Sequence, residues 1–279
     1  MRLCRTPDGI GRLDGDELAY LDAPHPDVAA FFGDTSASAE NMPVRSRVPV
    51  GDAVLLAPII SPATVVIVGF NYKAHIAETG AETPESPPLA AAAAGPGVSI
   101  AWNDDIVLPA EAPTKVDYEG EVGVVIGRVA SNIDARHAWD VIGGLVVVND
   151  VSARDVQRSD MERGDLSRGI GKLFPTFKPM GGWVTTGDEF RDGAIDLELE
   201  TIVNGERRQH ARTSDLLFGI PELIEAASSV TDLQPGDLIC TGTPGGVGAP
   251  TGSFLAPGDV VEVRVDGLGA VENKVVSHG

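Results

Sequence analysis

The stretch Val116-Asp117-Tyr118-Glu119-Gly120-Glu121-Val122-Gly123-Val124-Val125-Ile126 joins two patterns. Its second half is apolar and rich in β-branched residues, too apolar for a strand with a solvated face, and reads as a strand buried on both sides. Its first half places acids at every second position, and alternate side chains of an extended chain leave on the same face. Asp117, Glu119 and Glu121 are therefore expected to project together from a strand that enters the core. Left unpaired there, they lose hydration and repel one another, at a rough cost of several kcal/mol per ion. Two arrangements remove that cost: a bound cation, or ion pairs with arginines such as Arg128 and Arg154.

A second apolar run, 145–148, ends in Asn149-Asp150 and puts another carboxylate at a strand terminus. Glu119, Glu121 and Asp150 together make an all-oxygen donor set of the kind hard cations take, with water and substrate oxygens completing the shell. Mg²⁺ or Mn²⁺ is the first choice and Ca²⁺ the next.

Further strands are expected at 183–186, 197–203, 238–241 and 260–265, with Asn204-Gly205 as a hairpin turn because both positions tolerate positive φ. Pro235-Gly236-Asp237 and Pro257-Gly258-Asp259 each introduce a strand. The clearest helix is 221–228, with proline in its first turn and Leu223, Ile224, Ala226 and Ala227 facing inward. The chain opens as a small β-meander (2–5, 10–13, 18–21), followed by a short helix at 28–32, an extended segment at 54–60 and the β-branched run 64–68. Strands do not alternate with long helices, which disfavours a doubly wound parallel sheet. The fold class is α+β, predominantly β, with a small N-terminal β-rich region (1–60) before the main domain (61–279).

A chain of 279 residues, 43% hydrophobic and 22% charged, has an ordinary globular balance. Its formal net charge of −20 repels phosphate backbones and anionic surfaces, so neither nucleic acid nor a membrane is expected as a partner. No apolar run reaches the roughly 18 residues of a span, and the N-terminus lacks a signal-peptide pattern, so cytoplasmic residence is expected. Cys4 and Cys240 carry no CxxC spacing and read as reduced thiols, Cys240 buried.

Five motifs in order identify a resemblance: Gly69-Phe70-Asn71-Tyr72 with His75 and Glu78; Asp117-Tyr118-Glu119-Gly120-Glu121; the run from Asn149-Asp150 to Gln157; Gly171-Lys172; and Thr241-Gly242-Thr243-Pro244-Gly245-Gly246-Val247-Gly248. Over residues 64–279 the chain resembles the fumarylacetoacetate hydrolase family. The resemblance implies a mixed β-sandwich roll with the active site at its mouth, a homodimer, and a divalent cation held by Glu119, Glu121 and Asp150. His75 and Glu78 are three apart, so a helical turn puts them on one face with the carboxylate orienting the imidazole; in similar enzymes such a pair activates water. Lys172, one of only five lysines, sits in a Gly-rich approach where it would stabilise negative charge developing on an enolate. Tyr72, Gln157 and Thr243 match positions that line the substrate site. The loop at 241–248 has no Gly-Lys-Ser/Thr ending, and no Gly-x-Ser-x-Gly elbow occurs, so neither a P-loop nor a serine hydrolase is indicated.

The chain departs from the family at 87–97. An aromatic-x-Lys segment is usual there, but this chain reads Pro-Pro-Leu followed by Ala90 to Ala94, a lid, an enlarged pocket or an inert loop. The resemblance thus points to metal-dependent hydrolysis of a carbon–carbon bond in a small β-diketo acid such as an acylpyruvate. A lyase, decarboxylase or isomerase working through the same enolate is the alternative, and a non-catalytic ligand-binding or scaffold protein is a third.

Overall fold

The central feature of the computed structural model, which describes residues 1–157, 169–191 and 195–279, is a ten-stranded sheet. Its order is Val44–Pro49, Glu17–Leu21, Gly9–Asp14, Arg2–Thr6, Val184–Thr186, Ile142–Asn149, Gly120–Ile126, Leu238–Cys240, Thr64–Val68 and Leu89–Ala93. A second sheet of five strands runs Glu206–Arg212, Glu198–Val203, Val260–Val265, Gly269–Ser277 and Ile106–Leu108. The fold is α+β, predominantly β, as read from the sequence.

The continuous apolar runs have a direct cause: the central strands are covered on both faces. On one side Val66, Val68, Val122, Val124, Leu145 and Val147 pack against Leu199, Val263 and Val271 of the second sheet and against Leu223 and Ile224 of the helix Ile220–Val230. On the other, Val65, Ile67, Val125, Val146, Val148, Leu238 and Cys240 share a cluster with Leu3, Ile10, Leu21, Val28 and Phe31. Leu3 and Ile10 lie toward the opposite end of the sheet order from Val65 and Ile67, so the sheet rolls over itself. The first 60 residues supply four strands of this same sheet and the helix Val28–Gly33, whose N-cap Asp27 accepts the Ala30 N–H at 2.8 Å. Burying each valine or isoleucine of these clusters contributes about 1.5–3 kcal/mol.

The Asn204-Gly205 hairpin forms as expected, with φ of 53° and 78° at its two positions. Two expectations need correction. Residues 54–60 form no strand: Leu56 makes a single bridge to Arg5, and Pro58, lacking an N–H, cannot extend a ladder. The run 116–126 is not one strand either. Val116–Asp117 pairs with Ser152–Ala153, the chain breaks at Tyr118-Glu119, and only Gly120–Ile126 enters the large sheet. The alanine run is the edge strand Leu89–Ala93, antiparallel to Thr64–Val68. Both cysteines are buried and free, and burial pushes the Cys4 thiol up to about 12. Among the described residues no helix is long and apolar enough to cross a membrane.

Candidate active site

The break at Tyr118-Glu119 sets the site. Glu119 sits where its N–H donates to Asn149 Oδ1 at 3.0 Å, and its carbonyl accepts the Asp150 N–H at 2.8 Å. Two carboxylates are thereby pinned side by side at the ends of adjacent strands. Glu121 follows, opposite Val148, and its Oε2 accepts the Gly242 N–H at 2.7 Å. Gly242 adopts φ +101°, and a Cβ there would meet Asn71 Cβ at 2.7 Å, so only glycine brings that N–H so close.

All three carboxylates are buried, Asp150 completely. Lys172 Nζ bridges Glu119 Oε2 and Asp150 Oδ2, the latter at 2.5 Å. Arg154 Nη1 takes Glu119 Oε1 at 2.7 Å, and its Nε takes Asp117 Oδ2 at 2.8 Å. Burial alone would raise the Glu119 carboxyl, but Lys172, Arg154 and His75 outweigh it and hold it down at about 2. Glu121 moves the other way: burial and the neighbouring Asp150 charge push it well above the ordinary carboxylate range. Among the described residues no cationic side chain pairs with Glu121. Asp117, expected with the other two acids, instead accepts the N–H groups of Gly248 and Ala249 at 2.8 and 3.0 Å and locks the 241–248 loop to Arg154.

The second cluster lies on the helix Lys73–Thr79, which ends at Gly80 in the left-handed region. His75 Nδ1 is 2.6 Å from Glu78 Oε1, and Glu78 Oε2 accepts the Gly246 N–H at 2.8 Å. Phe70 stacks on the imidazole at 5.6 Å. The expected i,i+3 pair is thus formed, and the dyad is tied to the same loop that reaches Glu121.

The other named residues are placed as follows. Thr243 donates to the Gly120 carbonyl at 3.0 Å and accepts from Gln209 at 2.8 Å. Gln157 Oε1 accepts from Arg154 Nη1 at 3.1 Å. The Tyr72 phenol is buried with no hydrogen-bond partner among the described residues, and burial, then Glu121 and Asp215, push its pKa upward.

Three participants were not anticipated. Gln209 accepts the Gly120 N–H at 3.0 Å. Cys240 brings its sulfur within 4.8 Å of ligand oxygens of Glu121 and Asp150. Lys178 places a fully buried Nζ 2.6 Å from Asp150 Oδ1. That contact is an ion pair without an aligned N–H, so Asp150 Oδ1 receives no directional hydrogen bond. An isolated lysine between Phe177 and Pro179 was the only sequence signal for it.

The donor chemistry fits a hard divalent cation. Two buried carboxylates converge, and one of them, Glu121, is short of a counter-charge among the described residues. Glu119 stands outside the tightest group, both its oxygens being taken by Arg154 and Lys172.

The family profile for fumarylacetoacetate (FAA) hydrolase C-terminal domains matches residues 64–276. The oxaloacetate tautomerase YisK of Bacillus subtilis is 37% identical over 227 residues, covering 79% of this chain and 72% of that protein. Among solved structures, a 5-carboxymethyl-2-hydroxymuconate delta-isomerase from Mycobacterium smegmatis superposes with a TM-score of 0.78 at 37% identity, over the whole of both chains. A maleylpyruvate hydrolase from Sphingobium sp. SYK-6, solved with manganese(II) and pyruvate, gives a TM-score of 0.76 at 28% identity, again over both chains in full. With the profile spanning most of its length and this arrangement of carboxylates, lysines and a His–Glu dyad, the chain belongs to the fumarylacetoacetate hydrolase family.

Proposed function

We propose that this chain is a divalent-cation-dependent enzyme that hydrolyses a carbon–carbon bond in a small β-diketo acid, with Glu119, Glu121 and Asp150 holding Mg²⁺ or Mn²⁺. The observation that carries the reading is the pair Glu121 and Asp150: two buried, converging carboxylates with too little positive charge around Glu121 among the described residues. When bound, the cation supplies a Lewis acid for the substrate's oxygens.

The remaining chemistry falls to the protein's own groups. Glu78, fixed by the Gly246 N–H, holds His75 through Nδ1, which leaves Nε2 as the nitrogen that takes a proton from water. Lys172 supplies a positive charge near the carboxylates, where negative charge on a substrate oxygen is stabilised as the bond breaks. Lys172, with Arg154, keeps Glu119 ionised. In the overall reaction an acylpyruvate and water give a carboxylate and pyruvate.

A second reading, isomerisation or tautomerisation of an enolisable 2-oxo acid, has support in the greater identity to a tautomerase and an isomerase than to the hydrolase. Here His75 moves a proton at carbon instead of activating water. Proton NMR of acetylpyruvate and of oxaloacetate, each with Mg²⁺ and with chelator, separates the two. Cation-dependent appearance of acetate and pyruvate supports hydrolysis. Faster keto–enol exchange of oxaloacetate with no cleavage of acetylpyruvate supports the second reading, and absence of both activities sinks the enzyme proposal.

A further inference from the structure

The hydrolytic scheme uses Lys172 but leaves Lys178 without a task, although Lys178 is the more deeply buried of the two. A lysine with no exposed side-chain surface is rare unless its charge is fully paired. Its Nζ donates to the carbonyls of Lys172 and Phe177, the latter at 3.1 Å, and lies 2.6 Å from Asp150 Oδ1. Its own N–H is tied to the Val98 carbonyl at 2.9 Å, so the residue is held from both ends. Lys172 differs. Among the described residues its Nζ contacts only side chains, Glu119 and Asp150, with no main-chain carbonyl holding it.

We propose that Lys178 is a positioning residue that permanently occupies one oxygen of Asp150, fixes the backbone of Lys172, and sets a low affinity of the carboxylate site for a divalent cation. The inference rests on the reading of Glu119, Glu121 and Asp150 as cation ligands. The physical argument is one of charge. Among the described residues, four buried acids, Asp117, Glu119, Glu121 and Asp150, face the two buried lysines Lys172 and Lys178 and the partly buried Arg154. A divalent ion that displaces the Lys172 ammonium still meets the Lys178 charge on the shared Asp150, and the two cations repel across one carboxylate. Lys178 thus acts as a built-in competitor, weakening the hold on the ion while keeping Asp150 and the Lys172 main chain in place.

The test is calorimetric titration of Mn²⁺ into the full-length protein and into Lys178→Met, which keeps the length of the side chain and removes its charge. Affinity for Mn²⁺ is expected to rise by about tenfold or more, as loss of a contact-distance repulsion at an effective dielectric constant near 20 implies. A purely structural lysine would give the reverse, because a loosened Asp150 binds less well. Equal or weaker binding by the variant, with binding by the unaltered protein intact, overturns the role of Lys178 and leaves the cation site standing. No binding by either protein removes both. Binding by the variant alone supports the proposal in its strongest form.

If Lys178→Met does not fold, the unaltered protein with ¹⁵N-labelled lysine decides. With only five lysines in the chain, the ammonium signals are separable. On adding Mg²⁺ the Lys172 ammonium signal should shift and exchange faster with water, while that of Lys178 remains in slow exchange. Release of both ammonium groups together overturns the proposal.

Discussion

Arg154→Ala lowers the unfolding free energy by about 3–5 kcal/mol, the range for removing one partner of a buried ion pair. Asp117 is fully buried and Glu119 nearly so, and both turn an oxygen to this one guanidinium at 2.8 and 2.7 Å. Alanine leaves Asp117 without its main partner and Glu119 with Lys172 alone. Asp117 is the more exposed to this loss: burial already raises its proton affinity, and Arg154 is the first of the groups that oppose that shift. Arg154→Lys is expected to recover only part of the stability, since an ammonium cannot reach both acids as a planar fork does. Thermal unfolding with chelator present measures this, and a melting point lowered by on the order of 10 °C for Arg154→Ala is the anticipated size. A loss below about 1 kcal/mol would mean that the two acids find other partners and that Arg154 is not the strut between the 116–119 segment and the 241–248 loop.

His75→Gln lowers kcat by roughly 10²–10⁴-fold, the usual contribution of a positioned general base. The Phe70 ring stacks on His75, and Glu78 is held independently by the Gly246 N–H, so the substitution leaves the loop attached. Melting temperature should therefore change little while turnover collapses. Steady-state rates on acetylpyruvate at saturating Mg²⁺ provide the measurement. A kcat within threefold of the unaltered enzyme would show that proton transfer does not pass through this imidazole.

The sequence made the covered strands, the Asn204-Gly205 turn and the helix at Ile220–Val230 legible because each rests on a local rule: apolar runs, positive φ, and proline in a first turn. The i,i+3 pair of His75 and Glu78 was legible for the same reason. Period-two spacing, however, does not say where a strand changes partner, so the break between Val116–Asp117 and Gly120–Ile126 was invisible, and with it the separation of Asp117 from Glu119 and Glu121. Ion pairing with Arg154 and cation binding appeared as alternatives; in the structure Asp117 and Glu119 pair with Arg154, while Glu121 does not. Alanine has little preference for strands, and 89–93 becomes one only because Thr64–Val68 offers an open edge. Lys178 was missed because a lone lysine is nearly always solvated, and only the tertiary placement of Asp150 explains its burial.

The proposal that Glu121 and Asp150 form a cation site is tested most directly by Mn²⁺ calorimetry on the unaltered protein and on Glu121→Gln, paired with thermal melts in chelator. Glutamine keeps an oxygen for the Gly242 N–H and removes the charge. Because the folded Glu121 carboxyl holds its proton more tightly than the unfolded one, its contribution to stability without cation falls as pH rises through and beyond the ordinary carboxylate range. Glutamine abolishes that loss, so Glu121→Gln should be more stable than the unaltered protein at neutral pH in chelator, by about 0.5–2 kcal/mol, and should no longer bind Mn²⁺. Undiminished Mn²⁺ binding by Glu121→Gln, or no binding by either the unaltered protein or Lys178→Met, would contradict the assignment.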